Sequence, residues 1–199
     1  MRRAVLPALA ALLLAAAAPP GRAEVWPYGA RECNQLWFMR NLIMDRAGYC
    51  FGSALGQSLF DNGDCTGKTV TLSAAQTAQA EQIRALEQEI GCSVNTAATR
   101  LDVDWMAQLR SLRDMPLPDN GAAACTWAGP EAVLRAGIGG DAPPLRALRA
   151  GDRIDLGWIG EGDWTVIAVS SGGPGGPARL GWVDLRALDL EANCTDWVG

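Results

Sequence analysis

The stretch LWFMRNLIMDRAGYCF, residues 36–51, decides how the first half of the chain folds. Leu36 and Ile43 lie two helical turns apart, and apolar residues fill the three- and four-residue spacings that mark one helix face. Gly48 follows the run, and glycine is the residue best suited to the left-handed turn beyond a helix. The pattern therefore predicts a helix over residues 31–46.

Three further helices are predicted in the first half of the chain. A short one is expected over residues 53–60. Ser73 and Gln76 have the spacing of a capping box, in which each residue satisfies a backbone N–H of the other, and they open a long helix. A last short helix follows Asp104. Together these elements predict a helical domain over residues 24–115.

The character of the sequence changes after the fourth helix. Prolines and an Asp-Asn-Gly turn over residues 116–121 break the helical pattern, and we predict a linker there. Beyond it come short runs of alternating, β-branched and aromatic residues, of which residues 164–169 are the clearest, separated by glycine and proline. This change predicts a β domain over residues 122–199.

The N-terminus has the pattern of an export signal. Arg2 and Arg3 precede an apolar run of about 15 residues, shorter than the roughly 20 that a membrane-spanning helix needs. Gly21 and Ala23 then supply small residues before a cleavage point. We predict a signal peptide over residues 1–23, cleaved after Ala23, and a periplasmic or secreted mature protein. An uncleaved anchor is the alternative, and no later stretch approaches membrane-spanning length.

The charge of the mature chain excludes one class of partner. The whole chain has 17 basic and 22 acidic residues, and loss of Arg2, Arg3 and Arg22 leaves 14 basic ones, a net charge near −8. Nucleic acid is therefore not an expected partner, because its phosphates require a basic face.

All six cysteines lie in the predicted mature part, and an even count in an exported chain implies three disulfides. Six cysteines allow 15 pairings, so the pairing must come from the elements around them. Antiparallel packing of the first and the long helix would join one pair, a second pair flanks the short helix, and the third lies at the two ends of the β domain. We therefore predict the pairs Cys33–Cys92, Cys50–Cys65 and Cys125–Cys194.

The chain lacks the residues of the common catalytic and metal sites. It has no histidine, which excludes Ser-His-Asp triads and histidine-ligated metals, and it has no Cys-x-x-Cys motif. Two candidate carboxylate pairs are Asp102 with Asp104, which bracket Val103, and Asp61 with Asp64, which share a turn. Residues of this kind at turns and helix starts usually cap backbone N–H groups. We therefore predict no catalytic residue, no metal and no cofactor.

The opening helix and the turn after it resemble the YARHG domain, a small helical module of bacterial extracellular proteins. That pattern runs Leu-Trp, Arg-Asn, then Tyr-Ala-Arg-His-Gly-Tyr-x-Phe, and it is matched by Leu36, Trp37, Arg40, Asn41, Arg46, Gly48, Tyr49 and Phe51. The chain departs from it at Met44, which replaces the signature tyrosine, at Asp45 and at Ala47. The family has no established enzymatic activity, so the resemblance implies a fold and an extracellular location.

The C-terminal part resembles a bacterial SH3-like domain. The similarity lies in a Leu-Arg-Ala-Gly opening, a Leu-x-x-Gly-x-x-Ile strand and two later tryptophan-containing strands, at residues 133–137, 148–154, 162–166 and 181–185. Many such domains bind peptidoglycan or peptides. The two resemblances imply an α+β chain, in which a disulfide-stapled small α-helical domain is followed by an SH3-like small β-barrel.

Four residues are candidates for binding. Arg40 and Arg46 lie on different faces of the first helix; anchoring is the favoured role of Arg40, whereas Arg46 could contact a partner. Trp127 and Trp158 are less easily placed in the core. Exposed tryptophan favours binding surfaces, although core or disulfide packing is the favoured role for each.

These observations predict an exported, non-enzymatic binding protein of the bacterial envelope. The expected partner is peptidoglycan or an envelope protein, and the sequence does not determine the oligomeric state. One alternative is a carboxylate-dependent cell-wall hydrolase, which would need two carboxylates facing a cleft at roughly 5 to 9.5 Å. Another is a structural subunit of an envelope complex.

Overall fold

A computed structural model describes residues 28–171 and 177–199. The predicted signal peptide, residues 1–23, lies outside the described residues. The helices of the first half are α1 (Ala30–Arg46), α2 (Ala54–Leu59), α3 (Ala74–Glu89) and α4 (Met106–Leu109). The second half contains β1 (Leu117–Trp127), β2 (Ala132–Arg135), β3 (Pro144–Leu148), β4 (Arg153–Ile159), β5 (Trp164–Ser170), β6 (Ala178–Asp184), α5 (Leu185–Leu188), α6 (Leu190–Asn193) and β7 (Cys194–Val198).

The helix ends follow local signals in the sequence. Gly48 has φ +86°, the left-handed conformation expected just beyond α1. The Ser73 hydroxyl accepts from the Gln76 backbone N–H at 3.2 Å, and the Gln76 side chain accepts from the Ser73 N–H at 2.9 Å, which completes the predicted capping box of α3. The four helices therefore begin and end close to the predicted positions.

Three disulfides hold the chain, and they join the cysteines that the order of the elements predicts. Cys33 at the start of α1 is bonded to Cys92 just beyond α3, so these two helices run antiparallel. The other two disulfides are Cys50–Cys65 and Cys125–Cys194. Within the described residues, no helix has the length and apolar character needed to cross a bilayer.

The second half forms one antiparallel sheet of seven strands in the order β3-β2-β6-β5-β4-β1-β7. β3 and β7 are its edges. The structure therefore confirms a β domain, but it does not support the expected SH3-like barrel. Short motifs such as Leu-x-x-Gly mark strands and turns, but they do not specify how many strands pair or in what order.

The central strand β5 is buried on both faces. Its residues Val166 and Ala168 face the helices, whereas Ile167 and Val169 belong to a second apolar cluster on the other side of the sheet. The four side chains are at most 3% exposed. The sheet therefore has a helical layer on one face and its own core, completed by α5, on the other.

The helical layer and the sheet share one hydrophobic core. A single cluster of buried side chains includes Phe38 and Leu42 of α1, Leu112 of the connecting segment, and Leu180 and Trp182 of β6. The prediction treats the two halves as separate small modules. The structure differs because the apolar face of the helical layer is covered by the sheet.

The segment before β1 locks the two halves together through polar contacts as well. The Trp182 indole N–H donates to the backbone oxygen of Asp114 at 2.8 Å. The Arg110 guanidinium lies over the rings of Phe38 and Phe60, at 5.1 and 5.6 Å from their centroids. A cation placed over aromatic faces in this way adds attraction beyond simple contact.

All but the first residue of the predicted linker, residues 116–121, belong to strand β1 instead. Leu117 and Pro118 are paired with Ile159 and Trp158 of β4, and the register then shifts before pairing resumes at Ala123. The Pro-rich and Asp-Asn-Gly signals therefore mark an irregularity within a long strand. Such bulges accommodate the residues that a regular ladder excludes.

Candidate functional site

An ion pair between the antiparallel helices α1 and α3 organises the candidate site. Arg40 donates to Glu87 through Nε at 2.8 Å and through Nη2 at 3.2 Å, so the contact is bidentate. The two side chains are 30% and 12% exposed, respectively. A bidentate pair fixes orientation as well as distance, and Arg40 therefore anchors α1 to α3, which is the role favoured for it from the sequence.

Two cavities lie along the groove between these helices, and both are bordered by Arg40 and Arg84. Cavity A, of about 650 Å³, lies toward the Cys33–Cys92 disulfide. Its remaining lining residues are Trp37, Glu87, Gln88, Gly91, Cys92 and Val94. Cavity B, of about 340 Å³, lies toward the other end of the groove. Its remaining lining residues are Asn41, Met44, Tyr49, Leu72, Thr77, Ala80 and Glu81.

Arg84 is the cation of this groove that remains available. Its side chain is exposed, and it makes no ion pair or side-chain hydrogen bond with any residue that the structure describes. Glu87, three residues further along α3, is engaged by Arg40 from the opposite helix. The Arg84 guanidinium can therefore accept an external carboxylate without first breaking a bond within the protein.

Cavity B combines this cation with an apolar wall. Met44, Tyr49, Leu72 and Ala80 are all partly buried and pack against the edge of the helix–sheet core. Apolar surroundings with a few placed polar groups are the usual composition of a ligand site.

Part of the wall of cavity B comes from the YARHG pattern. Arg40, Asn41 and Tyr49 match that pattern, and Met44 occupies the position of its signature tyrosine. Asn41 is held in place because its side-chain N–H donates to the Trp37 backbone oxygen at 2.7 Å. Three of the eight residues that match the YARHG pattern thus line this cavity.

Arg46 contacts the protein itself. Its guanidinium donates to the backbone oxygens of Arg110 at 2.9 Å and of Arg113 at 3.3 Å, on the segment that leads into the sheet. The side chain also borders a third cavity of about 470 Å³ with Asp114 and residues of α3. Arg46 therefore joins α1 to the segment before β1 through two of its five N–H groups, and its contact with a partner stays a prediction.

The two tryptophan candidates are separated by burial. Trp127 is 0% exposed, and its indole N–H donates to the Pro130 backbone oxygen at 3.0 Å, so it is a core residue and the expectation of a binding role is wrong. Trp158 is partly buried against the helix–sheet core. Among the tryptophans that the structure describes, the well-exposed one is Trp197 on the edge strand β7, at 48%.

Each of the three cavities contains a single carboxylate, namely Glu87, Glu81 or Asp114. Glu87 and Asp114 are moreover paired with Arg40 and Arg113. A glycosidase needs two carboxylates across a cleft, and none of these three cavities provides them. Among the described residues there is also no group of three potential metal ligands.

The carboxyl group of Asp45 is half-buried beside Arg46, and its pKa is raised above the ordinary 3.8, mainly by burial and next by the Asp64 carboxylate. The folded state therefore holds this proton more tightly than the unfolded chain, and stability falls as pH rises above about 4. We expect Asp45→Asn to be more stable than the parent protein at neutral pH and nearly equal to it at about pH 3. Urea unfolding at both pH values measures the difference.

Asp102→Asn is the matched control for this prediction, since the Asp102 side chain is 75% exposed and its ion pair with Arg31 is long, at 3.6 Å. Exposed pairs of this kind contribute little to stability. A lower stability of Asp45→Asn at neutral pH, or the same difference at both pH values, would contradict the account of Asp45.

Two known protein families match the sequence of this chain, one over the helical part and one over the part that contains the sheet. The YARHG domain matches residues 27–88, which confirms the resemblance seen in α1 and its turn. A family described as a domain of unknown function, DUF4453, matches residues 91–199. The chain therefore belongs to the DUF4453 family and has a YARHG domain ahead of that region. Neither a curated protein nor a solved structure matches the chain.

The division between the matched families falls between residues 88 and 91, at the end of α3. The predicted boundary at residues 116–121 lies later in the chain than this division, because the Pro-rich segment there is the clearest break in the helical pattern. The DUF4453 region thus includes α4 and the segment that packs on the helices, as well as the sheet.

Arg84 was not predicted as a site residue. Its spacing from Glu81 and Glu87 on α3 favours pairing within the helix, which is the ordinary state of a solvated face. The contact from Arg40 on α1, which lies 47 residues from Glu87 in sequence, engages Glu87, and Arg84 makes no ion pair with Glu81 either. No local signal in the sequence reports such a contact.

Proposed function

We propose that this chain is an exported, non-enzymatic binding protein of the bacterial envelope, and that it contacts peptidoglycan through the groove between α1 and α3. The observation that carries the proposal is the available Arg84 beside the apolar wall of cavity B. A preformed pocket with a free cation is suited to recognition.

The disulfides support an extracytoplasmic location. Three disulfides link the described part of the chain and leave no free cysteine there. Disulfides form and persist in oxidising compartments such as the periplasm and the cell exterior. The YARHG match supports the same location, since that module is known from bacterial extracellular proteins.

The rival role of cell-wall hydrolase has no support in the three cavities, because each contains one carboxylate. A zymogram on purified cell walls is the direct comparison. Clearing of the gel by the mature protein would replace the binding role with an enzymatic one.

Retention on purified peptidoglycan tests the proposal. The oxidised mature protein, residues 24–199, is mixed with insoluble peptidoglycan at physiological ionic strength, which screens the repulsion between two acidic surfaces beyond about 8 Å. We expect the parent protein to be retained and Ala80→Trp, which fills cavity B, to be lost to the supernatant. Ala78→Trp is the matched control, because Ala78 is an exposed residue of α3 that borders neither cavity.

The outcomes test separately whether peptidoglycan is the partner and whether the groove between α1 and α3 is the surface that binds it. If the parent protein is not retained, peptidoglycan is not the partner, and cross-linking to envelope proteins becomes the next test. If Ala80→Trp and Ala78→Trp are both retained, the protein binds the wall through a different surface from the groove.

A further inference from the structure

The polar groups around cavity B are arranged for a ligand that carries a carboxylate next to a small apolar group. Arg84 lies at the rim and has no partner among the described residues, whereas the neighbouring Arg40 is held by Glu87. The planar guanidinium fork of arginine matches the two oxygens of a carboxylate. The adjoining wall of Met44, Leu72 and Ala80 can cover an apolar side chain.

The other polar groups suit the backbone of a peptide. The Glu81 carboxylate borders the cavity on the same helix, one turn before Arg84, and can accept from a peptide N–H. The Thr77 hydroxyl lies one further turn back and makes no hydrogen bond to another described residue. An acceptor, a hydroxyl and a cation thus follow one another along one face of α3.

The size of the cavity limits the ligand. A volume of about 340 Å³ is near the lower end of the 300–1,000 Å³ that is typical of ligand pockets. This space suits the end of a peptide with small side chains better than a length of sugar chain.

We propose that cavity B binds the C-terminal carboxylate of a short peptide that ends in small apolar residues, with Arg84 as the group that binds the carboxylate. This inference rests on the proposed envelope function, and it assigns the peptide to the cell wall, whose stem peptides present a D-alanine carboxylate. Cavity A also borders Arg84, but its carboxylate, Glu87, is already bound to Arg40, so cavity B is the one assigned to this ligand.

The test is a titration of the isotope-labelled mature protein with N-acetyl-D-Ala-D-Ala, followed by backbone NMR shifts. We expect saturable shifts around Tyr49, Ala80 and Arg84, and binding at least tenfold weaker for the C-terminal amide of the same peptide. We expect a similar tenfold loss for Arg84→Gln. Arg100→Gln is the matched control, because Arg100 is also exposed and unpaired within the described residues but borders neither cavity of the groove.

Three results would overturn the inference. These are no binding of the D,D-peptide, equal binding of the acid and its amide, or equal binding by Arg84→Gln and the parent protein. N-acetyl-L-Ala-L-Ala is titrated in the same way. Binding of this L,L-peptide but not of the D,D-peptide would also overturn the inference, because it would assign the site to the C-terminus of a protein. Since whole peptidoglycan is a separate probe, retention of Arg84→Gln on the wall together with any of these results would leave the envelope function standing.

Discussion

Replacing Trp182 with alanine is expected to destabilise both halves of the chain together, by about 3 to 5 kcal/mol, the usual range for removal of a buried tryptophan. Trp182 is 1% exposed and lies in the core that α1 shares with β5 and β6. The substitution also leaves the Asp114 backbone oxygen without the indole N–H that donates to it. The variant therefore removes packing and a hydrogen bond at the contact between helices and sheet.

The measurement is urea unfolding followed by far-ultraviolet circular dichroism, which reports the helices, and by tryptophan fluorescence, which also reports the sheet. We expect one transition with the same midpoint by both probes, and an equal shift of both in the variant. Trp182→Phe is a milder variant in case Trp182→Ala does not fold. Trp197→Ala is the control, since the Trp197 side chain is 48% exposed and its loss should change stability by no more than about 0.5 kcal/mol.

Two separated transitions, or a helical signal that is insensitive to Trp182, would show that the halves fold independently. The shared core would then contribute little to stability. The disulfides alone would have to account for the folded state of the helical half.

Removing the Cys33–Cys92 disulfide is the second large expected effect. The two cysteines are 59 residues apart, and closing a loop of this length stabilises a protein by about 4 kcal/mol through its effect on the unfolded chain. The Cys33→Ala, Cys92→Ala double variant should lose approximately this amount in urea unfolding. It also releases the start of α1 from the end of α3, where cavity A lies.

The Cys50–Cys65 disulfide provides the matched comparison. Its cysteines are 15 residues apart, so its removal by the corresponding double alanine variant should cost about 3 kcal/mol. The order of the two losses is the critical result. A larger loss for Cys50–Cys65, or a loss below about 1 kcal/mol for Cys33–Cys92, would contradict loop closure as the source of the stabilisation.

The helices could be predicted because their signals are local. The capping box at Ser73 and Gln76 and the left-handed Gly48 each act within one turn of chain. The Cys33–Cys92 pair could be predicted because antiparallel packing of α1 and α3 brings the start of one helix to the end of the other. Short-range chemistry was therefore sufficient for the first half of the fold.

The sheet and the site could be predicted only in part because they depend on contacts between distant residues. The continuous burial of β5 is visible only when the helices are known to cover one face. Trp127 was misplaced because nothing near it in sequence reports the second core in which it is buried. Arg84 was missed because the bond between Arg40 and Glu87, which engages one of its two neighbouring carboxylates, joins residues far apart in sequence.

Because the helices and the sheet share one core, the YARHG module of this chain is not expected to be stable as an isolated fragment. A fragment that ends at residue 88 would lack Leu109, Leu112 and Met115, which are 0%, 0% and 5% exposed in the whole chain. Without them and the sheet, aromatic side chains such as Phe38 would face water, and exposed apolar surface of this kind leads to association. We therefore expect the YARHG module to fold only together with the domain that follows it.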